Sequence, residues 1–305
     1  MRSSILAALL CAVVTLGAQN ETVANKEVTR EALIIEAGKE KMLGRLDKAK
    51  ELYKQLLKEY PNNELAAYEL ARILMVQNQP EEAIIWANKA AALNPSNVWY
   101  AILKADAMQA MGQYKDAAGV YEQLTRQFPT QSNYFYKWAF YLVKANELNP
   151  ALRVYDDLER RIGMNETLVR LKHGLYHAQG DDKKAARELQ RLADAHPNNI
   201  DYKHNLAEFY TEIGDKEQAR ATYRKILALD TNDAKANLAL AGGDVNKQND
   251  AQYLSSLRQS FESRDVSIEV KLGKIEPLLN KYLSSGDPGL GKELLQLSEI
   301  LEQLY

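Results

Sequence analysis

The sequence predicts an all-α solenoid of antiparallel helix pairs, and three ladders of residues predict it. Ala49, Ala83, Ala117, Ala151, Ala185 and Ala219 follow one another at intervals of 34 residues. Ala37, Ala71, Ala105, Ala139 and Ala207 keep the same register with one step missed. Pro61, Pro95, Pro129 and Pro197 close the same unit. A fixed period of this length means one supersecondary unit repeated along a stack, each copy burying its apolar face on its neighbours. A stack of this kind supplies surface, so a partner is expected before a catalyst.

With the closing proline taken as position 32, six units begin at Arg30, Glu64, Val98, Ser132, Glu166 and Ile200. Helix A of each unit ends at position 15, which is Gly44, Gly112, Gly180 and Gly214 in four units and Asn78 and Asn146 in the others. Both residue types tolerate the left-handed conformation that stops a helix. Position 8 is small in five units, with His173 as the exception, and position 20 is always alanine. These two positions face each other where helices A and B approach most closely, so only small side chains fit. Position 24 is Tyr53, Tyr121, Tyr155 and Tyr223 in four units and fills the gap beside that contact. The proline ends helix B, because its ring clashes with the preceding turn. Asn62, Asn63, Asn198 and Asn199 follow two of the prolines and are placed to cap the next helix. Gly163 and Thr231 stand where units 4 and 6 lack the proline.

Residues 234–305 keep helical periodicity but lose the clean register. Unit 7 places Ala241 at position 8, then passes through Gly242-Gly243-Asp244 and Gln248-Asn249-Asp250, a loop or a break. A helix is expected over 251–263, with Asp265 as the cap of the next. Residues 266–284 read as helix with a kink or break at Gly273 and Pro277. Gly286-Asp287-Pro288-Gly289 signals a turn, and the last helix runs from about Leu290 to the end. Leu290, Leu294, Leu297, Leu301 and Leu304 form one stripe on it, broadened by Leu295, Ile300 and Tyr305. A terminal solenoid helix should show water a polar face. The stripe is therefore expected to meet further repeats or another subunit, or else to fold back on unit 7. A unit begun at Ile275 would set Gly289 at position 15, although Tyr282 at position 8 does not fit.

The N-terminus reads as a secretory signal over 1–18: Arg2, a short apolar core from Ile5 to Leu16, and Leu16-Gly17-Ala18 before Gln19. Residues 19–29 are a linker. Cys11 is the single cysteine, so the mature chain forms no disulfide, and Leu10 before it argues against lipid attachment. Net charge is −2 with both signs interspersed and no basic stripe, which argues against nucleic acid as the main partner. The sequons at Asn20 and Asn165 matter only in a eukaryotic secretory pathway.

The alanine, glycine, tyrosine and proline positions resemble the tetratricopeptide repeat over roughly 30–233, about two thirds of the chain. The resemblance implies a right-handed superhelix of six repeats whose concave groove is lined by positions 2, 5, 9, 12 and 13 of helix A. Those positions hold Tyr68 and Met75 in unit 2, Trp99 and Ile102 in unit 3, and Tyr136 and Phe140 in unit 4. An exposed set of such rings marks an interaction site; the alternatives are that the rings cover one another or are covered by the N-terminal segment 19–29. Phe135 and Trp138 are expected to pack between helices. Units 5–7 turn polar, with Arg170, His177, His204, Asn205, Glu208 and Lys235. Against the five-residue carboxylate clamp of chaperone-binding relatives, Asn205 and Lys235 match, Arg170 replaces a lysine, and Gly174 and Ala239 depart. An exported, cysteine-free protein of these repeats looks like a Gram-negative periplasmic or outer-membrane-associated one.

No catalytic signature is present: there is no phosphate loop, nucleophile elbow or His-Glu-x-x-His. No enzyme activity, cofactor or resident metal is expected. His173 and His177 share a helical face and, with His204 and Glu208, form the one arrangement that could attract a metal. The reading is a protein-interaction scaffold that holds a partner's segment in its groove. Its rivals are an assembly subunit working through the apolar C-terminal helix and a ligand or metal sensor at the histidines.

Overall fold

A computed structural model describes residues 27–240 and 250–305, which fall into two compact units, one running through Ile162 and one starting at Gly163. The signal segment, residues 19–26 of the linker, Ala241, Gly242-Gly243-Asp244 and Gln248-Asn249 lie outside the described residues. The first unit comprises α1 (27–42), α2 (Leu46–Glu59), α3 (Glu64–Val76), α4 (Pro80–Leu93), α5 (Val98–Ala110), α6 (Tyr114–Gln127), α7 (Ser132–Lys144) and α8 (Leu148–Ile162). The second begins with α9 (Glu166–Ala178), α10 (Asp182–Ala195), α11 (Ile200–Glu212), α12 (Lys216–Leu227) and α13 (Ala234–Leu240). It ends with α14 (Asp250–Ser256), α15 (Arg258–Glu262), α16 (Ile268–Ser285) and α17 (Pro288–Leu304). No strand occurs among the described residues. Within each unit successive helices pack on one another, α2 through α8 in the first and α9 through α13 in the second.

Local chemistry sets the boundaries. Helices α3, α5, α7, α9 and α11 start at the first residue of their repeat. Asn63, Asn97, Asn165 and Asn199 each accept a hydrogen bond from a first-turn amide of the helix that follows, and Asp233 does the same for α13. Every position-15 residue is left-handed, Asn78 and Asn146 at φ of 55° and 60° and the four glycines at 72–78°. That conformation reverses the chain after helix A and makes the two helices antiparallel.

The close contact then forms as the alanine ladders require. Ala49, Ala83, Ala117, Ala151 and Ala185 have no exposed surface, nor do Ala37, Ala71, Ala105, Ala139 and Ala207. In the fifth repeat, the His173 ring reaches helix B by placing Nδ1 3.1 Å from the Ala185 carbonyl oxygen. The position-24 tyrosines are buried beside these contacts. Phe135 is buried as expected, and Trp138 is half-buried. Buried charges find partners: Lys172 Nζ lies 3.3 Å from Glu188, Glu40 accepts from Lys48 at 3.0 Å, and Lys203 and Lys271 donate to the Pro197 and Ser263 carbonyls.

The C-terminal segment departs from the expectations in four places. The α17 stripe is buried: Leu290, Leu294, Leu297 and Leu301 join Leu238, Leu254, Leu257 and Phe261 in one core. That face is therefore occupied by this chain's own helices, and docking through it is corrected to folding back. Helix α16 runs without a break through Gly273 and Pro277. The left-handed stop is Gly286, at φ 68°, and Gly289 lies inside α17, which Asp287 caps; the register begun at Ile275 does not hold. Asp265 forms a turn with the Ser263 hydroxyl and caps no helix.

Two outcomes test this packing. Ala151→Leu overpacks the closest approach and should cost roughly 1–3 kcal/mol in denaturant unfolding. Burial raises the Tyr53 and Tyr155 phenols from 10.0 to about 12. The folded state thus favours the neutral phenol, and the stability this confers is complete below pH 10 and lost as pH climbs towards 12. An alkaline titration followed by tyrosinate absorbance and ellipticity should show ionisation of these rings coinciding with unfolding. Tyr155→Phe should move that midpoint upward.

Candidate partner-binding face

Positions 2, 5, 9, 12 and 13 fall on one side of a helix with about 3.6 residues per turn. In the first unit this side of α3, α5 and α7 carries its most exposed rings. Trp99 is 66% exposed and Phe140 40%. Trp99 holds that place because Asn97 caps α5, accepting from the Trp99 amide at 3.1 Å. Leu65 and Val76 on α3, at positions 2 and 13, are also exposed, and the sequence reading did not single them out although the same register marks them.

The other four expected rings and chains are half-buried. Tyr68 packs on Tyr100 with centroids 4.9 Å apart, and Tyr136 stands 6.4 Å from Tyr155. Met75 packs against Ala71, Ala87 and Leu103. Tyr68 and Tyr136 thus serve partly as walls of the repeat core, which is the ring-on-ring covering the sequence left open. Burial raises the Tyr68 phenol while Arg72, 5.6 Å above its ring, opposes the shift.

The face is flanked by cations. Lys137 and Lys144 place their ammonium groups 5.8 and 5.6 Å from the Phe140 centroid. Desolvation raises the Asp106 carboxyl on α5, with Lys137 pulling against it.

In the second unit the expected polar residues do not form a free set. Arg170 lies 3.6 Å from Glu166, and Lys235 lies 3.4 Å from Glu208, while Asn205 is exposed. His204 is corrected most: it is buried, with Nε2 2.8 Å from Asp233. The same Asp233 caps α13, so the residue that closes the sixth repeat captures the position-5 side chain of that repeat's helix A, α11. His177 faces Asp182 at 2.8 Å, and His173 stacks edge-on to Phe209 at 4.5 Å. Each ring is thereby committed to a local partner, and no group of three His, Cys, Asp or Glu suited to a metal occurs among the described residues.

No curated protein sequence matches the chain. A tetratricopeptide-repeat protein from Parabacteroides merdae is 17% identical over 81% of this chain and 97% of its own, with a TM-score of 0.46. The structure of Naa15/Naa10 bound to HypK-THB is 15% identical over 87% of this chain and 44% of its own, with a TM-score of 0.50. YrrB, described as a tetratricopeptide-repeat protein with an unusual peptide-binding site, is 17% identical over 60% of this chain and 95% of its own, at 0.39. Likenesses at these identities concern the fold alone. Tetratricopeptide-repeat models match residues 43–98, 103–130 and 176–242. Together with the helix pairs, the left-handed position-15 turns and the buried alanine contacts, these matches place the chain in the tetratricopeptide-repeat family.

Proposed function

We propose that the first unit is a non-enzymatic interaction scaffold that holds a segment of another protein on the exposed face of α3, α5 and α7. Proteins of this family are generally scaffolds for protein partners. The observation that carries the reading is the exposure of Trp99 and Phe140 at groove positions of the repeat, with two lysines over Phe140 and with Leu65 and Val76 of α3 also exposed. Large exposed rings are costly to leave in water and are the usual anchors of an interface.

Cross-linking the native protein in intact cells identifies the captured partner. Trp99→Ala and Phe140→Ala should then each weaken capture by about 2 kcal/mol while helicity is kept. Ile85→Ala, on the exposed side of α4, serves as the control and should leave capture unchanged. Recovery of the same partner at wild-type yield by both ring variants sinks the proposal.

The same reading includes export, supported by Arg2, the apolar run from Ile5 to Leu16 and the small residues before Gln19. N-terminal sequencing of the protein recovered from the periplasm should begin at Gln19. No helix among the described residues is long and apolar enough to cross a membrane.

A further inference from the structure

The second unit contains a cleft of about 750 Å³ between α12, α13 and the start of α16. Its floor is apolar: Ala219 and Tyr223 come from α12, Leu238 from α13, and Val266 and Val270 from the entry to α16. Tyr223 turns its ring to this floor and is buried, its phenol hydrogen-bonded to Thr211. The rim is predominantly cationic, with Lys216, Arg220, Lys235 and Lys274 against Glu208 and Asp265.

The two acids are already engaged. Glu208 pairs with Lys235 at 3.4 Å, and Asp265 accepts from the Ser263 hydroxyl at 3.2 Å. Lys216, Arg220 and Lys274 make no ion pair among the described residues, so the four rim cations outnumber the two acids, Glu208 and Asp265. Burial lowers the Lys274 ammonium with no carboxylate opposing the shift, which is the situation an incoming anion relieves. The volume lies in the range of small-molecule sites, which join a mostly apolar lining to a few placed polar groups.

We propose that this cleft binds a small aliphatic carboxylate, its chain on the Tyr223–Leu238–Val266 floor and its head on Lys274, Lys216 and Arg220. The floor rejects a strongly hydrated ligand and the rim rejects a cation, so chain and charge are needed together. The site is distinct from the aromatic face of the first unit and does not rest on the function proposed for it.

Isothermal titration of the full chain with octanoate, 1-octanol and octylamine tests the assignment. Octanoate should bind saturably with a Kd below about 1 mM. Octanol, with the same chain and no charge, should bind at least about fivefold more weakly, and octylamine should show no saturable binding. Lys274→Met should weaken octanoate roughly tenfold with helicity unchanged, and Lys274→Arg should restore most of the affinity. Val270→Glu, at an exposed floor residue, should abolish binding. A dipeptide acid, acetyl-Gly-Leu, separates a peptide terminus from a free aliphatic acid and should bind more weakly than octanoate. Equal affinity for octanol, tighter binding of the dipeptide acid, no octanoate binding, or indifference to both Lys274→Met and Val270→Glu would each overturn the proposal.

Discussion

The structure depends on one constraint, the approach of helix A to helix B at positions 8 and 20. The backbones come so near there that ten of the eleven alanines at these positions have no exposed surface. Small residues at both positions let the helices close to a packed distance, and the left-handed residue at position 15 orients the return. His173 gauges the contact where the pattern fails. Its ring lies along the approach, hydrogen-bonds to the Ala185 carbonyl and rests on Phe209, which replaces missing closeness by a polar bridge.

Fixing that approach also fixes which side of helix A is left over. Position 8 turned towards helix B leaves positions 2, 5, 9, 12 and 13 along one flank of helix A, where the first unit places Leu65, Tyr68, Met75, Val76, Trp99, Ile102, Tyr136 and Phe140 among polar residues such as Arg72, Asp106 and Lys144. Core and candidate site therefore share helices and even residues. Tyr136 belongs to both, half-buried against Tyr155 and neighbour in sequence to the lysine above Phe140. A variant at Trp99 tests binding with less disturbance to packing than one at Tyr136.

The end of the chain follows other rules. Its core rests on a close approach at Gly291, where a Cβ would come within 2.6 Å of the Tyr282 ring, and on a buried lysine. Lys271 donates to the Ser263 carbonyl at 2.7 Å, and its ammonium sits 5.3 Å from the Tyr305 ring. These contacts turn the α17 stripe inward and leave Val270, Leu272, Leu279 and Leu283 of α16 exposed. The entry to α16 also brings Val266 and Lys274 opposite α12, which creates the cationic cleft.

Repeat length, helix pairing, the left-handed turns and the buried alanines are all determined by the sequence alone, because each is a local rule repeated in register. Trp99 and Phe140 are legible for the same reason: register assigns a side, and large rings on that side stay exposed. Tertiary structure decided what depends on neighbours far along the chain. Leu290, Leu294, Leu297 and Leu301 look unfinished on their own helix, and only Leu238, Leu254 and Phe261 make them a core. His204 reads as a free groove residue until Asp233, 29 positions away, takes its Nε2. The cleft is invisible in sequence, since its three unpaired cations come from α12 and α16 and meet only when the last helices fold back. A periodic pattern encodes contacts between adjacent elements, whereas contacts that close a stack on itself have no period to reveal them.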